Sequence, residues 1–127
     1  MTVTLDKLKN KIKYLSADEQ KEIIRAIEFA RKAHHQQKRK TGEPYIVHEI
    51  ETASFIADLK LDSPAIIAAI LHDVVEDTKV TWSEIQKEFG KTVANLVDGV
   101  TKLGRIRITK RWFVFQSKEE LKRFDQQ

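Results

Sequence analysis

Apolar residues recur along this chain at spacings of three and four, and short polar stretches with capping residues and turn formers interrupt them. Ser16 with Glu19 forms a capping-box pair ahead of a segment in which Ile23, Ile24, Ala26, Ile27, Ala30 and Ala33 share one face. The pattern predicts a helix from about Ala17 to Gln36. Gly42-Glu43-Pro44 breaks it, and a second helix is expected to carry Val47, Ile50, Ala53, Phe55, Ile56 and Leu59 toward the core. Ser63 reads as an N-cap followed by Pro64 at the first helical position, where the missing N–H is harmless. The third helix it opens is nearly all apolar, and a helix apolar all round belongs in the middle of a fold.

Thr81 with Glu84 makes a second capping box for a short helix closed by Gly90, and Val93, Ala94, Leu96, Val97, Val100 and Leu103 define another. Ser117 with Glu120 starts a last, highly polar one. Between these lies Arg105 to Gln116, where Trp112-Phe113-Val114-Phe115 follows a basic run without helical period. Strand alternation is almost absent, and no repeat or Pro/Gly/Ser-rich linker divides the chain. The expectation is an all-α bundle of about five to six helices forming one domain over residues 1–127.

Composition narrows the classes. Hydrophobic residues make up 41% of the 127 and charged residues 33%, which argues against disorder, and no apolar run approaches the ~20 residues of a membrane-spanning helix. The chain opens on polar, lysine-rich sequence rather than a secretory leader, so the cytoplasm is the expected location. With no cysteine, any metal must rest on His, Asp and Glu. The formal charge of +4 is modest, but two basic clusters stand out: Lys38-Arg39-Lys40, and Lys102 with Arg105, Arg107, Lys110 and Arg111. Runs of this kind usually face water.

The chemistry concentrates at the end of the apolar helix, where His72-Asp73 is followed by Glu76 and Asp77. His72 and Glu76 share one helix face, Asp73 and Asp77 share the next, and a rotation of about 100° separates the two. A lone buried histidine is more often a satisfied core residue than a ligand; four ionisable groups in six residues reverse that balance. Unpaired, they are costly to bury, and carboxylates are poorly placed at the negative end of a helix dipole. A bound cation resolves both problems, which points to a metal-dependent hydrolase. Of His34, His35 and His48, the last is the best second imidazole, because the turn before it aims a helix start at the interior. His34 and His35 are adjacent, and at most one of them faces inward easily.

The strings Ala33-His34-His35-Gln36-Gln37-Lys38-Arg39-Lys40-Thr41-Gly42-Glu43-Pro44-Tyr45-Ile46-Val47-His48, Leu71-His72-Asp73-Val74-Val75-Glu76-Asp77-Thr78, Phe89-Gly90 and Val97-Asp98-Gly99-Val100-Thr101-Lys102-Leu103 resemble the HD-type hydrolase domain of the RelA/SpoT alarmone enzymes. The resemblance covers roughly Ile23 to Ile106. It implies removal of the 3′-pyrophosphate from guanosine tetra- or pentaphosphate (ppGpp or pppGpp), usually with Mn2+. By position, His48, His72 and Asp73 match three metal ligands, Glu76 and Asp77 the acidic pair that activates and positions water, and Arg39, Lys40 and Thr41 the loop that contacts the guanosine nucleotide. The family's fourth ligand is an aspartate in a later Leu-Ala-Asp-Arg-Leu-His-Asn-type motif. Nothing from Gly104 to Gln127 reproduces it, Asp125 included, so the expectation is weak metal binding and low or absent activity. Two other readings are an HD phosphohydrolase acting on ordinary nucleotides and a non-catalytic regulatory module that associates with a second copy through Trp112 to Phe115. Nucleic-acid binding through Arg105 to Arg111 is the weakest option, because no recognition motif accompanies the charge.

Overall fold

The computed structural model describes residues 2–35 and 37–102, and over these the chain is helical: α1 (Thr2–Lys11), α2 (Ala17–His34), α3 (Tyr45–Asp58), α4 (Ser63–Asp77), α5 (Trp82–Phe89) and α6 (91–102). The all-α expectation holds. The expected helix at Ser117–Glu120, the Trp112–Phe115 segment, the basic residues 105–111 and Asp125 lie outside the described residues.

α2 starts where its caps dictate. The Ser16 hydroxyl accepts from the Glu19 N–H at 3.2 Å, and the Glu19 carboxylate accepts from the Ser16 N–H at 3.1 Å. These bonds hold the Glu19 carboxyl below its ordinary 4.5. A group depressed on folding stabilises above its unfolded value and ceases to do so as pH falls through the folded one. Ser16→Ala should therefore lower stability by about 1 kcal/mol at neutral pH. In urea unfolding, the difference from the parent chain should shrink below pH 4.5; a difference constant with pH contradicts the capping box.

α4 is the centre of the bundle. It packs on α2 and α3, and Ile66, Ile67, Ala68, Ala69, Ile70, Leu71 and Val74 are all buried. Its cap differs from the expected one. Asp62, not Ser63, is the N-cap, its carboxylate accepting from the Ala65 N–H at 3.1 Å, and Pro64 sits one position further into the first turn. Both residue types cap well, and proline is tolerated anywhere in a first turn that has no intrahelical N–H bond to lose.

The buried stripe of α3 keeps Ile50 and Ala53 as expected, with Val47 and Ile56 partly buried against the core, and adds Ile46, Glu49 and Ala57; Phe55 and Leu59 depart from the expectation, being 64% and 56% exposed. α1, which the pattern reading left unassigned, buries Leu8 and packs on α3; Ile12 is buried in the turn that follows it. Lys11 pairs with Asp58 at 2.9 Å across that contact. At the other end, Arg25 of α2 lies 4.2 Å over the Phe89 ring and donates to the Glu88 carbonyl, while Phe29 meets Phe89 edge to face. Trp82 Nε1 donates to the Ala94 carbonyl at 2.9 Å, joining α5 to α6, and Gly90 makes the intervening corner at φ 92°.

Candidate functional site

The short connection from α2 to α3 is a hairpin-like turn. The Arg39 N–H donates to the Glu43 carbonyl and the Gly42 N–H to the Arg39 carbonyl, each at 2.8 Å, with a bridge between Lys38 and Pro44. Gly42 sits at φ 91°, a conformation that side chains disfavour. The turn holds Arg39, Lys40 and Thr41 out in solvent, where all three are exposed. It also delivers the chain into α3 so that His48, in the first turn, reaches α4.

There it meets the His-Asp pair. His72 Nε2 lies 3.1 Å from Asp73 Oδ1, and His48 Nε2 lies 3.8 Å from Asp73 Oδ2. Two imidazoles from two helices thus flank the two oxygens of one carboxylate, all three side chains being partly buried. His72 Nδ1 donates to the Ala69 carbonyl at 2.6 Å, which fixes the ring and leaves Nε2 to face the carboxylate.

The electrostatics follow from this packing. Burial opposes charge on His72, but the hydrogen bond and the negative charge of Asp73 outweigh it and raise the imidazole to about 9. Burial likewise works against an ionised Asp73; the hydrogen bond from His72 and the nearby histidines prevail and hold its carboxyl below the ordinary range. Without a metal, the cluster is therefore an ion pair with positive charge on His72.

A second buried pair lies beside it. His34, from the last turn of α2, is 3% exposed and hydrogen-bonds through Nε2 to Oε1 of Glu49, which is wholly buried. Burial pushes the Glu49 carboxyl up, and its Oε2 has no hydrogen-bond partner. Tyr45 stacks on the His34 ring with centroids 4.9 Å apart. Sequence reasoning named His34 only as a weaker alternative to His48 and missed Glu49. The available signal was a carboxylate three residues after Ile46 and four before Ala53, on the apolar stripe itself.

Glu76 and Asp77 are exposed at the end of α4. The Asp77 carbonyl accepts from Gln37 Nε2 at 3.1 Å. A cleft of about 570 Å3 opens here, lined by His34, His35, Gln37, Asp77, Lys79 and Glu84 among others, and none of His48, His72 and Asp73 lines it. The structure therefore brings His48, His72 and Asp73 together and leaves Glu76, Asp77 and the Arg39–Thr41 turn outside that cluster.

The sequence matches the HD domain family over residues 26–126. The chain belongs to the HD domain family. Within it, this HD domain is of the RelA/SpoT type. It is 56% identical over 86 residues to a guanosine-3′,5′-bis(diphosphate) 3′-pyrophosphohydrolase of Aquifex aeolicus, a stretch of 68% of this chain and 12% of the relative. It is 46% identical over 94 residues to the bifunctional (p)ppGpp synthase/hydrolase SpoT of Escherichia coli, 74% of this chain and 13% of that protein. A Haemophilus influenzae enzyme with the same name as the Aquifex relative is 51% identical over 83 residues, covering 65% of this chain and 12% of its own length. The HD domain thus spans about an eighth of the length of the curated relatives it matches. The family match extends to residue 126, beyond the region around Ile106 where the motif resemblance fades.

An HD hydrolase domain implies a divalent metal. The donors in this HD domain fit one in kind: two imidazoles and a carboxylate, with the His72 ring anchored through Nδ1 to a backbone carbonyl, the usual support of a ligating histidine. Their orientation is that of the ion-paired cluster, and no group of three or more His, Asp or Glu side chains among the described residues is set to hold a metal ion. No described helix is long and apolar enough to cross a membrane.

Proposed function

We propose that this HD domain is a metal-dependent guanosine-3′,5′-bis(diphosphate) 3′-pyrophosphohydrolase that uses Mn2+. The observation that carries the reading is the meeting of His48 and His72 on the two oxygens of Asp73, at the end of a buried helix, in a chain 46–56% identical over most of its length to enzymes of that name.

His48, His72 and Asp73 would hold the ion. When bound, it supplies Lewis acidity: it lowers the pKa of water and neutralises phosphoryl charge. Loading requires His72 to lose its proton, so affinity rises with pH. Asp73 is already ionised, which favours a cation over a neutral ligand. Glu76 and Asp77, exposed at the adjacent helix end, accept the proton of the attacking water and orient it. Arg39, Lys40 and Thr41 present two cations and a hydroxyl on a turn closed by backbone hydrogen bonds, and in this reading that loop packs on the guanine base and contacts the nucleotide.

The test is pyrophosphate release from guanosine tetraphosphate with Mn2+, beside GTP and dGTP. Glu76→Gln should lower release by about 100-fold, the lower end of the range for a general base. Release that persists unchanged in the variant removes Glu76 from that role, and equal rates on all three nucleotides defeat the alarmone assignment.

A further inference from the structure

We propose that Glu49, His34 and Gln37 form a positioning chain that fixes the end of α4, and with it Asp77, against the turn carrying Arg39 to Thr41. The inference rests on the hydrolase reading of the site and adds residues that reading does not use.

The chain runs through four elements. Glu49 of α3 hydrogen-bonds through Oε1 to His34 Nε2 at the end of α2. His34 Nδ1 donates to Gln37 Oε1 at 3.0 Å, and Gln37 Nε2 donates to the Asp77 carbonyl at 3.1 Å. Each link selects the next. The Asp77 carbonyl can only accept, so it takes the NH2 of the Gln37 amide; the amide oxygen then faces His34 Nδ1, which must carry the hydrogen between them and leaves Nε2 to Glu49. The reversed amide would set two donors and two acceptors face to face. Tyr45 stacked on the ring keeps His34 in plane.

The last link falls where α4 needs it. The final four carbonyls of a helix lack intrahelical donors, and α4 has no basic residue in its last turn to supply one. Thr78 spends both its N–H and its hydroxyl on the Val74 carbonyl, which leaves the Asp77 carbonyl to Gln37. A buried carboxylate with one unpartnered oxygen is an expensive way to pack a helix face. Holding the orientation of a side chain that aligns the reactive end of α4 gives it a purpose.

Gln37 is exposed, so its variants should fold. Gln37→Ala removes the link. Gln37→Glu keeps an acceptor for His34 but places an oxygen against the Asp77 carbonyl, so a merely structural partner of His34 would be rescued by it and a positioning residue would not. Both variants should lower kcat for pyrophosphate release by about 10-fold, the usual scale for a residue supporting the reactive groups, with KM within twofold of the parent. Independently of activity, amide hydrogen exchange of the metal-free chain at residues 78–80 should accelerate by about 5-fold in both, with the melting temperature unchanged. Unchanged exchange overturns the proposal, as does accelerated exchange with unaltered kcat, or rescue of kcat by Gln37→Glu. A parent chain that releases no pyrophosphate defeats the hydrolase reading alone; exchange then still decides whether the chain of bonds holds α4.

Discussion

Asp73→Asn should reduce Mn2+-dependent pyrophosphate release by more than about 100-fold, since residues that merely support metal ligands already account for 10- to 100-fold and Asp73 is the one anionic donor between two imidazoles. The same variant has a consequence that needs no metal. Burial opposes the charge on His72 and Asp73 is the main influence that raises the imidazole to about 9, so with the carboxylate neutralised only the Ala69 carbonyl and Glu49 still oppose burial and the value should fall well below 9. The sign for stability follows. His72 is raised on folding, so in the metal-free parent its contribution is fully present below pH 6.5 and is lost as pH rises through about 9. Asp73→Asn should diminish that loss of stability between pH 6.5 and 9. Following the His72 ring by NMR in the metal-free chain checks both statements, and a value that stays near 9 in the variant contradicts the ion pair.

Ile70→Ala should destabilise the fold by about 2–5 kcal/mol, the range for removing a large aliphatic side chain from a packed core. Ile70 is fully buried in the middle of α4, between α2 and α3, one residue before Leu71 and beside the Ala69 carbonyl that anchors His72. In the same variant the His72 anchor stays in sequence but loses rigid support, so metal affinity should fall with stability. Urea unfolding measures the first effect, and a loss under about 1 kcal/mol would mean the site can collapse, which a helix at the centre of a bundle does not allow.

How far the sequence could be read depended on whether each feature was local. α2 and α4 were legible because their signals are written in neighbouring residues, the Ser16–Glu19 box for α2 and the apolar stretch from Ala65 to Val75 for α4, although the α4 cap fell one residue earlier than expected. The face of α3 was legible only in part: Ile50 and Ala53 are buried as their spacing suggests, but Phe55 and Leu59 are as hydrophobic as the buried residues, and only packing against α1 and α4 tells them apart. α1 carried a usable signal in Leu5, Leu8, Ile12 and Leu15, masked by the lysines between them.

The site divides the same way. His72 and Asp73 announce themselves as polar groups ending an apolar helix, and His48 follows from the turn before it. Glu49 does not, since a carboxylate is assigned to solvent unless its partner is known, and that partner, His34, lies 15 residues away. The roles of Glu76, Asp77 and the Arg39–Thr41 turn come from the family pattern; all five residues are exposed, whereas His48, His72 and Asp73 are partly buried.

The central claim is that His48, His72 and Asp73 share one divalent ion. Anomalous diffraction at the manganese edge, from crystals of the chain grown with Mn2+ at pH 8, tests it most directly. One strong peak should appear within bonding distance of Nε2 of both histidines and of an Asp73 oxygen, and be absent from Asp73→Asn crystals. A peak elsewhere, or none at saturating metal, would contradict it.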